Sequence, residues 1–174
     1  MDKTLVGTFI DAAVNDHETA LRLLNDHPTL RQARWIHGET VLHFLAVEGY
    51  AGAVQFLAGL GFGVNLINEF GDAPLVDVAT LGNDGIAEVL LKHGADPNAA
   101  SSTRDNVLHC AVRSGNARLV ELLLAAGARL DYVTDIGESV FDALPDDPGQ
   151  RKAVLAVLKR HGAQGEAGWE QHGY

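Results

Sequence analysis

Apolar positions along this chain come in short blocks at helical spacing, separated by polar, glycine-bearing turns. Ile86, Val89 and Leu90 mark one helix face, and Leu119, Val120, Leu122 and Leu123 mark another. A shorter block precedes each of them. Leu42 and Ala46, followed by Gly49, predict a first helix closed by a left-handed glycine. Between blocks lie Asn68-Glu69-Phe70-Gly71-Asp72 and Ser101-Ser102-Thr103-Arg104-Asp105. Runs so rich in turn residues predict hairpin tips rather than helix. Each unit therefore reads helix, turn, helix, extended connection.

The blocks recur with one period. Gly61, Gly94 and Gly127 lie 33 residues apart, and Gly162 follows after 35. A leucine stands four residues before each: Leu57, Leu90, Leu123 and Leu158. One step back, the register falls on Leu24 and on Pro28 in place of the glycine. Phe9, Leu42, Leu75, Leu108 and Phe141 form a second track of period 33, Ala13, Ala46, Ala79 and Val112 a third, and Gly49, Gly82 and Gly115 a fourth. The two extra residues of the last unit fit in the loop Pro145 to Gly149, where insertion is cheap. Arg104 occupies the position held elsewhere by Gly38, Gly71 and Gly137, which predicts strain there or a different turn.

These residues resemble the ankyrin repeat. Its T-P-L-H signature appears as Thr40-Val41-Leu42-His43, Ala73-Pro74-Leu75-Val76, Asn106-Val107-Leu108-His109 and Ser139-Val140-Phe141-Asp142. Its closing motif is fullest at Leu90-Leu91-Lys92-His93-Gly94-Ala95-Asp96-Pro97-Asn98. The resemblance implies an all-α solenoid of stacked helix-turn-helix units with short β-hairpin-like tips, about five units including caps. One domain is expected over 1–163: an N-terminal capping unit at 1–34, repeats at 35–67, 68–100 and 101–133, and a C-terminal capping repeat at 134–163. Pro145 is expected to shorten the first helix of that last unit. Residues 164–174, with Trp169 and Tyr174, read as a flexible tail. Stacking should bury Leu57, Leu90, Leu123 and Leu158 as one row. Asp16, His17 and Glu18 at one end, and Arg151, Lys152 and Lys159 at the other, would give the end units a polar outer side.

Composition narrows the function. The 174 residues are 47% hydrophobic and only 6% aromatic, so the core is aliphatic. Thirteen Lys and Arg against 23 Asp and Glu give a net charge of −10, which disfavours nucleic acid. No stretch is apolar enough to span a bilayer, and the acidic, interrupted N-terminus is not a signal peptide. With a single unpaired Cys110, a cytoplasmic protein is expected, and a monomer.

Candidate chemistry is sparse. His43 and His109 take the signature position, where the resemblance implies a local bond, with Thr40 and Asn106 as partners. His93 and His161 precede helix-ending glycines and suit terminal carbonyls or the helix dipole. His37, near Glu39, is left without a role. Cys110 follows His109, but adjacent side chains on a helix diverge, so a buried, inert thiol is favoured over a nucleophile. Asp146 and Asp147 read as loop residues, and Gly59 to Gly63 as a helix end. No phosphate loop or nucleophile elbow is present. The expectation is a non-enzyme with no cofactor, no metal and no catalytic residue. The alternatives are a small metal-dependent or thiol enzyme using His37, His43 or Cys110, and a nucleic-acid-associated regulator.

The resemblance implies that binding occurs on the concave side. By register, the tips supply Ile36, His37 and Glu39; Glu69, Phe70 and Asp72; Ser102, Thr103 and Asp105; Asp135, Ile136 and Glu138. The inner helices supply Val47, Glu48, Thr80, Leu81, Arg113 and Ser114. Acids dominate this set, with Ile36, Phe70, Leu81 and Ile136 among them at positions expected to face solvent. The expectation is a protein-protein interaction module (an adaptor, inhibitor or regulator) whose protein or peptide partner carries a basic patch. Glu39, Glu48, Glu69, Asp72, Asp105 and Glu138 would steer it. Trp35 is either a further anchor or packing for the cap.

Overall fold

The computed structural model describes residues 2–101 and 105–162. Nine α-helices follow one another among them: α1 (Lys3–Asn15), α2 (His17–Asp26), α3 (Val41–Val47), α4 (Ala51–Gly59), α5 (Pro74–Thr80), α6 (Asp84–Lys92), α7 (Val107–Arg113), α8 (Ala117–Ala125) and α9 (Pro148–Arg160). They pair as α1/α2, α3/α4, α5/α6 and α7/α8. The pairs stack in chain order. The inner layer runs α1, α3, α5, α7, and the outer layer α4, α6, α8, α9.

Local chemistry sets the helix ends. Thr40, Asn83, Asn106 and Asn116 each accept a hydrogen bond from the main-chain N–H three residues on, at 3.0–3.1 Å. Gly94 closes α6 at φ 85°, a region costly for any residue with a Cβ. The next amide, Ala95 N–H, reaches back to the Leu90 carbonyl at 3.0 Å. Phe62 and Leu57, and Ala128 and Leu123, repeat that closure. At these three glycines the leucine four residues before serves twice: its carbonyl accepts the closing bond while its side chain enters the core.

Leu57, Leu90, Leu123 and Leu158 are fully buried, as are Phe9, Leu42, Leu75 and Leu108. Phe141 of the same track is only half-buried. The last unit differs more than expected there. Val140 to Ala143 form turns, not a shortened helix. Leu144 precedes Pro145 and is steered away from helical ψ. The Asp142 carboxylate also takes both the N–H and the hydroxyl of Ser139, so the segment closes only i to i+3 bonds.

The tips are hairpin-like. Trp35 N–H donates to Glu39, Asn68 to Asp72, Ser101 to Asp105 and Thr134 to Glu138, each to the main-chain carbonyl at 2.7–2.9 Å and each in the 33-residue register. Single antiparallel bridges join Arg34 to Thr40, Ala100 to Asn106 and Val133 to Ser139. Arg104 and the tail from residue 163 lie outside the described residues, with Trp169 and Tyr174.

Side chains stitch unit to unit. Asn65 Nδ2 donates to the Gly94 carbonyl and its Oδ1 accepts from Asp96 N–H, both at 2.9 Å. Asn98 does the same with Gly127 and Arg129. On the outer helices Arg118 joins Glu88 at 2.9 Å, and Arg160 joins Glu121 at 2.9 Å. His17 of the first unit is exposed, and its ring stacks on Phe56 of α4 at 3.8 Å.

Candidate functional site

The inner helices pack in sequence, α1 on α3, α3 on α5 and α5 on α7, and carry exposed apolar side chains between and beside them. Ile36, Phe70, Leu81 and Ile136 keep 49–61% of their surface in water. A hollow of about 260 Å³ opens between α3 and α5. Phe70, Leu81 and Val47 form its apolar wall, and Glu39 and Asp77 its polar one. Glu39 is half-buried, and removal from water raises its pKa above the ordinary carboxylate value; the nearby His43 opposes the shift and the Asp77 charge adds to it more weakly. Apolar wall and poorly solvated carboxylates together suit a cation carried on an aliphatic stem.

Not every expected acid is available. Asp72 and Asp105 are buried, so neither is an open steering charge. The Arg113 guanidinium donates to Asp105 at 2.5 Å. Arg113 is therefore spent within its own unit. Glu69 remains exposed but meets the His37 Nδ1 at 3.2 Å. That pair gives His37 a role absent from the sequence reading: it reaches the next tip rather than Glu39, and its ring lies 5.7 Å from Phe70. His37 adopts φ 52°, alone among the described non-glycine residues in having a positive φ. Glu48, Glu138 and Asp135 are exposed, Thr80 is exposed beside Leu81, and Val47 and Ser114 are half-buried. Ser102 and Thr103 lie outside the described residues.

The signature histidines diverge. His109 follows the expected local pattern, with Nδ1 donating to Asn106 Oδ1 at 2.8 Å. His43 does not. Thr40 takes its main-chain N–H, but its ring Nε2 meets Asp77 Oδ2 at 2.8 Å in the next unit. The donor atoms of Glu39, His43 and Asp77 lie within 4.8 Å of one another, close enough to share an ion. The hydrogen bond to Asp77 already occupies Nε2, and it accounts for the approach of those two groups. His161 Nε2 pairs with the Glu121 carboxylate at 2.8 Å.

Cys110 is buried on α7, and burial pushes its thiol pKa up, opposite to what a thiolate nucleophile needs. Asp147 caps α9 by accepting from Gln150 N–H at 2.8 Å. Gly61 ends α4 at φ 81°, which accounts for that glycine-rich run. Trp35 packs on the cap, its ring edge-on to Phe44 at 6.3 Å and against Gly7 of α1.

Asp77 was missed by the sequence reading. Its position is taken by Asp11 and Phe44 in the two preceding units and by Cys110 in the next, so the column mixes acids with apolar residues and nothing in it singles out Asp77. Among the described residues no helix is long and apolar enough to cross a membrane.

The family model for ankyrin repeats (3 copies) matches residues 9–101 and 42–134. Cyclin-dependent kinase 4 inhibitor B of Rattus norvegicus is 36% identical over 122 residues, covering 70% of this chain and 90% of the relative. Ankyrin repeat and SOCS box protein 16 of Homo sapiens is 33% identical over 161 residues, covering 84% of this chain and 35% of the relative. A Caenorhabditis elegans homolog of transient receptor potential cation channel subfamily A member 1 is 30% identical over 143 residues, 74% of this chain but 12% of the relative.

Proposed function

This chain belongs to the ankyrin-repeat family, and from that premise we propose that it is a non-catalytic module that binds a basic protein or peptide along its concave side. It works by occupancy, as an adaptor, inhibitor or regulator, as a monomer in the cytoplasm. The observation that carries the reading is the hollow between α3 and α5, where exposed Phe70 and Leu81 stand beside Glu39 and Asp77. Apolar anchors next to acids are what a partner with cations on aliphatic stems needs. The similarity to a cyclin-dependent kinase 4 inhibitor supports inhibition as the form of occupancy.

Selection of displayed random peptides tests it. Peptides retained by the wild type should be enriched in Lys and Arg and should weaken as salt rises. They should be lost, by about tenfold or more, on Phe70→Ala with Leu81→Ala. Peptides that are neutral, salt-insensitive and indifferent to those substitutions would overturn the reading. A protein-kinase catalytic domain is the first folded partner to assay, with competition by the selected peptides as the readout.

A further inference from the structure

A second hollow, of about 270 Å³, lies one unit away, between α1 and α3. Its walls are Trp35, Phe44 and Tyr50, three aromatic side chains in a protein that is 6% aromatic. The Trp35 and Phe44 rings meet at 67°, so they form two walls of a corner rather than a flat stack. Gly7 lies at its floor inside α1, without a positive φ to require a glycine; a Cβ there would touch Trp35 Cη2 at 3.6 Å. A larger side chain at residue 7 would fill the corner.

Two carboxylates, Asp11 and Glu48, border the aromatic walls, and no Lys or Arg lines the hollow. Asp11 accepts from Asn15 Nδ2 at 2.9 Å, while Glu48 has no side-chain partner among the described residues. Two other aromatic faces are covered from within the chain. Arg31 lies over Phe62 at 5.5 Å, and His17 stacks on Phe56. Among the described residues this aromatic corner thus has negative charge around it and no cation of the chain on it.

We propose that this corner receives the side-chain cation of a basic peptide, a guanidinium or alkylammonium. Aromatic faces attract the cation through their quadrupoles, Glu48 and Asp11 supply the countercharge, and the aliphatic stem packs along Trp35. The proposal names one contact on the concave side assigned above, but its test needs no partner protein.

The probes are acetylated, amidated Gly-Gly-Arg-Gly-Gly, its lysine analogue, and neutral isosteres carrying citrulline or norleucine. The readout is the NMR shift of the Trp35 indole proton, separated from Trp169 by Trp169→Phe. Either cationic peptide should give a saturable shift in the millimolar range, at least about fivefold tighter than its neutral isostere. Glu48→Gln and Tyr50→Leu, both at exposed positions, should each weaken it by about fivefold while leaving the far-ultraviolet spectrum unchanged. A Trp35 shift that fails to saturate with both cationic peptides overturns the proposal. So does equal binding of the isosteres, or affinity unchanged in both variants. Such a failure leaves the groove between α3 and α5 standing, because that site is judged at Phe70 and Leu81.

Discussion

His109 is fully buried in α7, and removal from water lowers its pKa, with Asp105 opposing the shift more weakly. Unfolding returns the imidazole to an ordinary value of about 6.5, so the unfolded chain binds the proton first as pH falls. The stability held by neutral His109 is whole above about pH 6.5 and drains away below it. Urea midpoints measured at about pH 7.5 and about pH 5.5 should therefore fall further for the wild type than for His109→Gln. An equal fall in both would place the titration elsewhere. Glu39 acts in the opposite sense: its raised pKa means that ionisation costs stability as pH climbs from about 4.5. The two signature histidines also show what one dimension conceals. The side-chain bond of His109 to Asn106 was legible, because the partner lies three residues away, and the matching bond expected between the His43 ring and Thr40 does not form. The reach of His43 to Asp77 was not legible, because it depends on how α3 and α5 face each other across 34 residues of chain.

At the level of the helix, Leu90 both donates its side chain to the buried row and accepts the bond that closes α6. Leu90→Ala keeps the carbonyl and removes only the packing, so it should cost about 2–5 kcal/mol in urea unfolding. Asn98→Ala, on an exposed connection, loses two bonds to the next unit and should cost about 1–2 kcal/mol. A smaller loss at Leu90 than at Asn98 would contradict a stack held mainly by its apolar row. Helix positions, glycine stops and tips were readable because each repeats a local solution three or four times. The final unit was misread because its competitors act together. Pro145 alone shortens a helix, while Pro145 with the Ser139–Asp142 bonds removes it. Which acids stay open to a partner was also unreadable, since Asp105 and Glu138 look alike until Arg113 is seen to take one of them.

Across the whole molecule the unit-to-unit contacts are uneven. Asn65 and Asn98 clamp the connections after α6 and α8, and Arg31 reaches the Leu60 carbonyl at the first junction. The next position in that series is Asp131, whose carboxylate is held by Arg129 at 3.0 Å and has no N–H to offer a carbonyl. The unit it would clamp has also lost its inner helix. A linear array comes apart from its weakest junction. Native-state hydrogen exchange should therefore show α9 amides opening more readily than those of α6, and equal protection would refute the difference. Held at both ends in an optical trap, the molecule should give way as a zip does, tooth by tooth from α9 toward α1, with the first rip at the lowest force.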